Sequence, residues 1–494
     1  MTTKIKSILK RKVLFVFLLP VMWVLHGYLN NYGLIPEKDA LLLALIYCGV
    51  ALLLTGIFWL FYRNIFKAAL LSFVLLCLQF FFGPIHDFLK GIFPGTIFSK
   101  YSFLLPFIFI LVIVTAVYLA RSKKTFYRTT TYLNTLFLIL IITDSFLLAF
   151  SNSKREKNNT ESNFTFSPCD TCSKPDIYLI VADGYPGNRQ LKDLFRFDNS
   201  DFENALRQRG FFIVDSSMSN YNFTQYSIAS MLSMNYLNGI KHINSNKNDI
   251  KISSEAISKS QVISYLQQEG YEFFNHSIFD FRGQPSIAIP TFLPRKLEPI
   301  TRHTLTYRIK KDLGYHLVTT LKIPFIIKKY LTIDMVNNQK IYAATQKTIH
   351  KKSKSPKFVY THLIMPHHPF FYDSTGKQLP LEFLKDEFYY NKEARISYLK
   401  YTNKELLKLV DEIRLASNTE PVIFLVGDHG IREIREKFSQ HYLFMNLNAV
   451  LLPNKDYNGI YKGMSNINLF RIFLNKQFNQ KLPLLKDSTI LITD

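Results

Sequence analysis

The chain is 494 residues long, and 48% of its residues are hydrophobic. Its formal net charge is +23, but the sequence shows no basic helix and no basic patch interleaved with aromatic residues. This pattern argues against a nucleic-acid-binding protein, whereas a basic surface suits a domain that lies over anionic lipid head groups. The length leaves room for more than one domain.

Apolar residues are concentrated in the first 150 positions. Most of these segments approach the ~20 residues that a membrane-spanning helix needs, and the third is shorter. The first segment follows several basic residues, as a signal peptide would, but it has no small-residue cleavage site and four more segments follow it. We therefore expect about five transmembrane helices in residues 1–150, near 13–29, 40–62, 68–83, 102–120 and 131–150.

Positive charges in this region are distributed unevenly between the predicted loops. If the N-terminus is cytoplasmic, 11 of the 14 Lys and Arg in residues 1–150 lie on the cytoplasmic side. After an odd number of spans, the remainder of the chain lies outside the cytoplasm. The pattern predicts a multi-pass protein of the plasma (inner) membrane. No predicted span has Lys or Arg at its middle, which argues against a channel or pump.

Residues 151–175 are polar and poor in large aliphatic side chains, which is typical of a linker. Cys169 and Cys172 lie in this stretch. Such a pair is found in redox motifs, in half of a zinc site, or as a local disulfide, and an extracytoplasmic location favours the disulfide. A soluble domain then covers residues 176–494.

Strand and helix signals alternate along this soluble domain. Buried strands are indicated at 177–182 and 421–427, with further strands near 211–215, 271–275, 357–362 and 442–452. Helical spacing of apolar residues is found near 200–209, 259–269, 393–414 and 464–475. This alternation predicts an α/β domain with a central, largely parallel sheet.

Acidic and imidazole side chains directly follow the two clearest strands. Asp183 comes after the first strand, and Asp428 and His429 come after a later one, between Gly427 and Gly430. Ligands of open α/β sheets bind at the carboxyl ends of the strands. These three side chains are therefore candidate ligands of a divalent cation. The alternative for Asp428 and His429 is a solvated turn.

A run of small and apolar residues after Thr224 predicts a helix that starts at this threonine. The positive end of a helix dipole stabilises both an alkoxide and an incoming phosphate, so Thr224 is a candidate nucleophile. Threonine is also a frequent N-cap, and a purely capping role is the alternative.

Histidines form a dense cluster after the strand near 357–362. His362, His367 and His368 lie within seven positions, around two prolines. Loop histidines bind metals or stabilise transferred anions, and the alternative is packing against aromatic side chains. His441, twelve residues after His429, would by itself be read as structural.

The order of these motifs resembles the sulfatase and alkaline-phosphatase superfamily. A strand ending in Asp, a threonine at a helix start, H-x4-H-x-P and G-D-H-G follow one another along the chain. Five spans before such a domain are similar to the membrane-bound branch, the lipid A phosphoethanolamine transferases and the lipoteichoic acid synthases. The resemblance implies an extracytoplasmic alkaline-phosphatase-like domain.

The resemblance also implies roles for individual residues. Thr224 would be the nucleophile, and Asp183, Thr224, Asp428 and His429 would bind a divalent ion, zinc or manganese. His367 and His441 would contact the transferred phosphate. His362, from the same histidine cluster, is a further candidate for substrate binding on its position alone. The reaction implied is transfer of phosphoethanolamine or phosphoglycerol from a membrane phospholipid, through a phospho-Thr intermediate, onto an envelope lipid or glycan.

The chain departs from the family pattern at several positions. Asp183 stands where the two transferase groups usually carry Glu, and Ile431 stands where an acidic residue often follows G-D-H-G. No C-x-P-x-R stretch is present, so the cysteine that sulfatases convert to formylglycine is missing. Two alternatives stay open: a hydrolase of sulfuric esters or phosphodiesters on the same fold, and a non-catalytic envelope protein.

Overall fold

The computed structural model describes residues 9–32, 35–158, 164, 166–240, 247–289, 297–319, 324–385, 388–432 and 438–493. The chain divides into two compact units. The first, here called the membrane unit, consists of Met1–Ser162 and Pro294–Ile323. The second, the sheet unit, consists of Asn163–Leu293 and Pro324–Asp494. The sequence analysis placed residues 294–323 in the soluble domain, whereas the structure groups them with the apolar helices.

The regular elements are numbered here in chain order. The helices are α1 Phe15–Asn30, α2 Glu37–Tyr62, α3 Ile65–Ile92, α4 Tyr101–Arg121, α5 Tyr127–Asn158, α6 Asn188–Phe195, α7 Ser200–Gln208, α8 Thr224–Ser233, α9 Lys247–Ser258, α10 Gln261–Gln268, α11 Glu298–Thr301, α12 Leu305–Thr319, α13 Pro324–Leu331, α14 Ile333–Ile349, α15 Lys392–Ala416 and α16 Asn466–Gln477. The strands are β1 Ile177–Ala182, β2 Phe212–Ile213, β3 Glu272–His276, β4 Lys357–Leu363, β5 Val422–Gly427 and β6 Asn448–Leu451.

Within the described residues, the membrane unit contains four helices, α2 to α5, that are long and apolar enough to cross a membrane, together with the shorter apolar helix α1. This agrees with the prediction of about five transmembrane helices. The third predicted span was expected to be short, but α3 is 28 residues long. It continues past Pro84 to Ile92, so the proline does not end the helix as its lack of an N–H suggests.

Helices α11 and α12 pack on the ends of α1 and α3. Ile300 packs against Gly27 so closely that a Cβ added to Gly27 would lie 3.0 Å from the Ile300 side chain. The backbone N–H of Gly83 donates to the carbonyl oxygen of His303 at 2.8 Å. Arg308 makes a two-bond ion pair with Asp87, at 3.0 and 2.6 Å. These contacts explain why residues 294–323 belong to the membrane unit, which the sequence pattern did not indicate.

The sheet unit is organised around six strands in the order β2-β6-β5-β1-β4-β3. Strands β5, β1, β4 and β3 are parallel, and β6 and β2 are antiparallel to their neighbours at one edge. The predicted central, largely parallel sheet is thus confirmed. Every residue of β1, β4 and β5 is buried, as expected of parallel strands that are covered on both faces.

Two predicted strands are shorter than expected. The strand near 211–215 is reduced to Phe212–Ile213, and the stretch 442–452 contains a strand only at Asn448–Leu451. Before it, Gln440–Phe444 forms a 3₁₀ helix, where the Ser439 side chain accepts a hydrogen bond from the N–H of His441.

Cys169 and Cys172 form a disulfide, as the extracytoplasmic location predicted.

Candidate metal centre and nucleophile

The carboxyl ends of β1 and β5 bring three predicted ligands together. Ala182 is in register with Gly427, so Asp183 and Asp428 leave the sheet side by side. His429 Nε2 lies 3.4 Å from Asp428 Oδ2 and 3.9 Å from Asp183 Oδ1. All three side chains are almost completely buried, which excludes the solvated turn considered for the later strand.

Backbone groups fix the orientation of Asp428. Its Oδ1 atom accepts hydrogen bonds from the N–H of Gly184 at 2.7 Å and from its neighbour His429 at 3.0 Å. Gly184 has a φ of +65°, a left-handed conformation that glycine adopts without strain. With Oδ1 held in this way, Oδ2 faces the cluster and has no hydrogen-bond partner among the described residues.

The tautomer of His429 follows from its contacts. Its Nδ1 atom lies 2.8 Å from the carbonyl oxygen of Gly430, which only accepts, so Nδ1 carries the proton and donates. In the neutral imidazole, Nε2 then presents a lone pair to the cluster. Thr224 Oγ1 lies 3.2 Å from this Nε2 and is the donor when no cation is bound. The Thr224 hydroxyl therefore faces an imidazole nitrogen, His429 Nε2, that is in the tautomer needed to bind a metal.

Helix α8 begins at Thr224, as the sequence predicted. The N-cap position belongs to Phe223, and no side-chain hydrogen bond caps the helix. The alternative that Thr224 is an N-cap is therefore wrong, because this residue occupies the first helical position. One turn later, Ser227 Oγ donates to the carbonyl oxygen of Asp428 at 2.6 Å. This bond joins the helix directly to the end of β5.

His362 lies inside the cluster. It is the sixth residue of β4, in register with Val181, and it is completely buried. Its Nδ1 atom is 2.8 Å from the hydroxyl of Tyr360, and its Nε2 atom is 3.6 Å from Asp183 Oδ2. Ligand atoms of Asp183, His362 and Asp428 all lie within 4.8 Å of one another.

The other two histidines of the cluster after β4 point in different directions. His367 is half-buried, and a Cβ built on Gly184 would lie 3.6 Å from its Cδ2 and 3.8 Å from Cε1 of His429. His367 therefore lies at the border of the group formed by Asp183, Asp428 and His429. The buried His368 instead packs edge-on against the rings of Phe370 and Tyr389. Its packing matches the aromatic alternative considered for this loop.

His441 is exposed on the 3₁₀ helix Gln440–Phe444. This helix is anchored behind the G-D-H-G turn, because the N–H of Gly430 donates to the carbonyl oxygen of Leu443 at 2.9 Å. A Cβ at Gly430 would clash with the carbonyl oxygen of Tyr442, so the close approach needs glycine. The predicted contact of His441 with a phosphate stays a prediction.

Opposing influences act on the carboxyl of Asp183. Burial raises its pKa, but the contact with His362 and the charge that the imidazoles of His362, His367 and His429 carry when protonated outweigh burial and lower the pKa to about 2. Burial, together with the charges of Asp428 and Asp183, also raises the pKa of the Tyr360 hydroxyl well above its ordinary value.

Arg432 is a further candidate that the sequence analysis did not select. It lies three residues after His429, and its guanidinium carbon is 4.3 Å from the ring centroid of Phe223. Phe223 directly precedes Thr224, so a permanent positive charge stands near the start of α8. In the sequence, Arg432 is simply an arginine shortly after G-D-H-G. Its contact with Phe223, which the sequence does not show, is what places it near Thr224.

The donor atoms fit a divalent cation. Asp183 Oδ1, Asp428 Oδ2 and His362 Nε2 have no hydrogen-bond partner among the described residues, and two neighbouring buried carboxylates are costly unless a positive charge lies beside them. Facing donor atoms are 3.2 to 3.9 Å apart. Two ligands at about 2.1 Å from one ion lie about 3.4 Å apart at the tetrahedral angle. Carboxylate, imidazole and hydroxyl donors suit a borderline or hard divalent ion.

No protein-family model and no curated protein matches the chain. Similar solved structures include the C-terminal periplasmic domain of EptC from Escherichia coli, at 12% identity and a TM-score of 0.40, covering 67% of this chain and 94% of that one. The lipooligosaccharide phosphoethanolamine transferase A (EptA) from Neisseria meningitidis is 12% identical, with a TM-score of 0.36, and covers 98% of this chain and 96% of that one. The phosphonate monoester hydrolase of Agrobacterium radiobacter is 12% identical, with a TM-score of 0.39, and covers 62% of this chain and 74% of that one.

Proposed function

We propose that the protein is a membrane-anchored, metal-dependent transferase. It moves a phospholipid-derived phospho-head group, phosphoethanolamine or phosphoglycerol, through a phospho-Thr224 intermediate onto an envelope lipid or glycan. The observation that carries the proposal is the position of Thr224 Oγ1, 3.2 Å from His429 Nε2 and beside a buried cluster of carboxylate and imidazole donors.

The proposed site would hold a divalent ion that acts as a Lewis acid. A divalent ion bound by Asp183, Asp428, His429 and Thr224 supplies a Lewis acid that lowers the pKa of the threonine hydroxyl and offsets negative charge on the phosphoryl oxygens. Zinc and manganese both accept this mixture of oxygen and nitrogen donors.

The chain's own residues carry out a double displacement. Thr224 Oγ1 attacks phosphorus in line, and the bond between phosphorus and the oxygen of the diacylglycerol breaks. Diacylglycerol leaves with a proton on its oxygen, which balances the proton lost by Thr224. The hydroxyl of the acceptor then attacks phosphorus, the bond to Thr224 breaks, and the free threonine is restored.

Side chains around the cluster position the substrate. The first backbone N–H groups of a helix have no intrahelical acceptor, so the start of α8 attracts an anionic phosphoryl group. His367 borders the cluster through Gly184, and we assign it and His441 to the phosphoryl oxygens. The apolar helices hold the enzyme at the membrane, which raises the effective concentration of a lipid donor.

Release of diacylglycerol tests this function and separates it from hydrolysis. Detergent-solubilised full-length protein, loaded with Zn²⁺ or Mn²⁺, is mixed with phosphatidylethanolamine or phosphatidylglycerol without an acceptor. A transferase should release about one diacylglycerol per chain and then stop, because the phospho-threonine waits for an acceptor hydroxyl. Continuous release would indicate that water is the acceptor, and no release from either lipid in the metal-loaded protein would contradict the proposal.

A further inference from the structure

His362 is a polar side chain that is completely buried. It lies within β4, a strand that is buried along its whole length, and its own exposure is 0%. Burying an imidazole without partners costs free energy, so both ring nitrogens need a contact. The sequence made His362 a candidate substrate-binding residue, yet a completely buried side chain is poorly placed to meet a lipid head group.

The outer nitrogen of His362 is held by a tyrosine. Nδ1 lies 2.8 Å from the hydroxyl of Tyr360, two residues earlier in the same strand. Tyr360 is itself completely buried, and the ring of Phe279 packs edge-on against the imidazole, with centroids 5.5 Å apart. Metal-binding histidines typically have such a partner on the nitrogen that does not bind the metal, because it fixes the tautomer and the ring orientation.

The inner nitrogen of His362 faces carboxylates without bonding to them. Nε2 is 3.6 Å from Asp183 Oδ2, which is longer than a hydrogen bond, and it has no hydrogen-bond partner among the described residues. The same distance suits two ligands that each lie about 2.1 Å from one ion, which are about 3.0 to 3.6 Å apart at angles of about 90° to 120°. Donor atoms of Asp183, His362 and Asp428 also fall within 4.8 Å of one another.

We propose that His362 Nε2 is a direct ligand of the divalent ion, in addition to Asp183, Asp428, His429 and Thr224. This inference rests on the proposed metal centre and extends it by one protein ligand. Asp183 then lies between two histidine ligands, with Oδ1 turned to His429 and Oδ2 turned to His362. Nδ1 of His362 donates to the oxygen of Tyr360 in the metal-bound form, which leaves the Nε2 lone pair for the ion.

X-ray absorption at the zinc edge counts imidazole ligands directly. The full-length protein in detergent is stripped of metal and loaded with one equivalent of Zn²⁺. We expect one tightly bound zinc per chain with two imidazole ligands. Zinc bound with a single imidazole would overturn the inference but leave the metal centre standing, whereas a protein that binds no zinc would overturn the proposed function as well.

Variants identify the second imidazole. His362→Phe fills most of the same volume and should reduce the count from two to one. His276→Phe is a matched control, because His276 is also buried at a strand end, in the neighbouring strand, and its Nε2 contacts Thr348 Oγ1 at 2.8 Å rather than a carboxylate. This control and His367→Ala should both keep two imidazoles. A count that stays at two in folded His362→Phe, or falls in His367→Ala, would contradict the assignment.

Tyr360→Phe tests the same ligand without touching the cluster. It removes only the hydroxyl that fixes Nδ1 of His362. Loss of such an outer partner typically weakens metal binding ~10- to 100-fold, so the zinc dissociation constant should rise by that factor. An unchanged dissociation constant in the folded variant would contradict the role given to His362.

Discussion

Thr224 Oγ1 lies 3.2 Å from His429 Nε2, although 205 positions separate the two residues in the chain. The contact exists because the start of α8 is placed against the carboxyl end of β5. Since Nδ1 of His429 donates to the carbonyl oxygen of Gly430, Nε2 is left as an acceptor towards Thr224. This pair combines the proposed nucleophile with a proposed metal ligand, and the predictions below follow from that arrangement.

Removing one charge from the cluster should weaken metal binding. In Asp428→Asn, the N–H groups of Gly184 and His429 still find an oxygen acceptor, so the fold should be kept. The ion loses an anionic ligand, and we expect bound zinc to fall several-fold and turnover to be lost. Metal content is measured by mass spectrometry of the purified, folded variant.

Asp411→Asn is the matched control for this variant. Asp411 lies on helix α15 and forms an ion pair with Arg209 at 2.7 Å. In the described structure it makes no contact with Asp183, Asp428 or His429. Metal content and turnover should be unchanged in this control. Equal metal content in Asp428→Asn and the wild type would rule out Asp428 as a ligand.

Ser227 should act as a positioning residue for the nucleophile. Its hydroxyl donates to the carbonyl oxygen of Asp428 at 2.6 Å and so fixes α8 against β5. Ser227→Ala leaves that buried carbonyl without this donor, which costs about 1–3 kcal/mol of unfolding free energy. We expect a lower kcat with zinc content kept, because Thr224 loses its fixed distance from His429.

Ser230→Ala provides the comparison, since Ser230 Oγ donates within its own helix, to the carbonyl oxygen of Ser227 at 2.9 Å. Its kcat should stay near that of the wild type. A Ser227→Ala variant with full kcat would show that the bond to β5 does not position Thr224. Rescue of activity in Ser227→Thr, which restores the hydroxyl, would support the positioning role.

The sequence predicted the site residues that follow strands β1 and β5, but not the site residue within strand β4. Continuous apolar runs identify β1 and β5 because both strands are covered on both faces, and the residues that follow them, Asp183 and Asp428, can then be named. His362 was harder to place. Its position inside the cluster depends on the register between β1 and β4, in which Val181 lies opposite His362, and a single sequence does not state that register.

The grouping of α11 and α12 with the membrane helices could not be predicted either. These helices lie within the long segment between β3 and β4, and their partners, such as Gly83 and Asp87, are more than 200 positions away. Local patterns of hydrophobicity do not report contacts of that kind. By contrast, α8 was predicted from Thr224 onwards because its run of small and apolar residues is local.

Arg432 should contribute to substrate binding rather than to metal binding. Its guanidinium lies over the ring of Phe223, next to the start of α8, where a phosphoryl group would enter. Arg432→Ala should raise KM for the phospholipid several-fold with zinc content unchanged, because a charge-assisted contact to phosphate is lost. Arg414→Ala, whose partner is Glu420 on the surface, is the control. An unchanged KM in Arg432→Ala would remove it from the site.

The topology predicts labelling on one side of the membrane. Residues 297–319 contact α3 near Asp87, at the end opposite to the basic residues Arg63 and Lys67. In a Cys48→Ala, Cys77→Ala background, Lys310→Cys should react with a membrane-impermeant maleimide in intact spheroplasts. Lys123→Cys, in the loop between α4 and α5, should react only after permeabilisation. The reverse pattern would contradict an extracytoplasmic active site.

Substitutions at Thr224 separate the nucleophile from a structural role. Thr224→Ala should fold and keep zinc but lose essentially all transfer, because no other group forms the covalent intermediate. Thr224→Ser should keep partial activity, since it retains the hydroxyl but not the methyl group that restricts its rotamer. Retained transfer in the alanine variant would exclude Thr224 as the nucleophile.

The most direct measurement is the mass of the peptide that contains Thr224. Metal-loaded wild-type protein is incubated with the donor phospholipid in the absence of acceptor, digested and analysed by tandem mass spectrometry. The mechanism predicts an added phosphorylated head group on Thr224, absent from Thr224→Ala and removed when an acceptor hydroxyl is supplied. An adduct on Ser227 instead, or diacylglycerol release without any adduct on this peptide, would contradict the phospho-threonine mechanism.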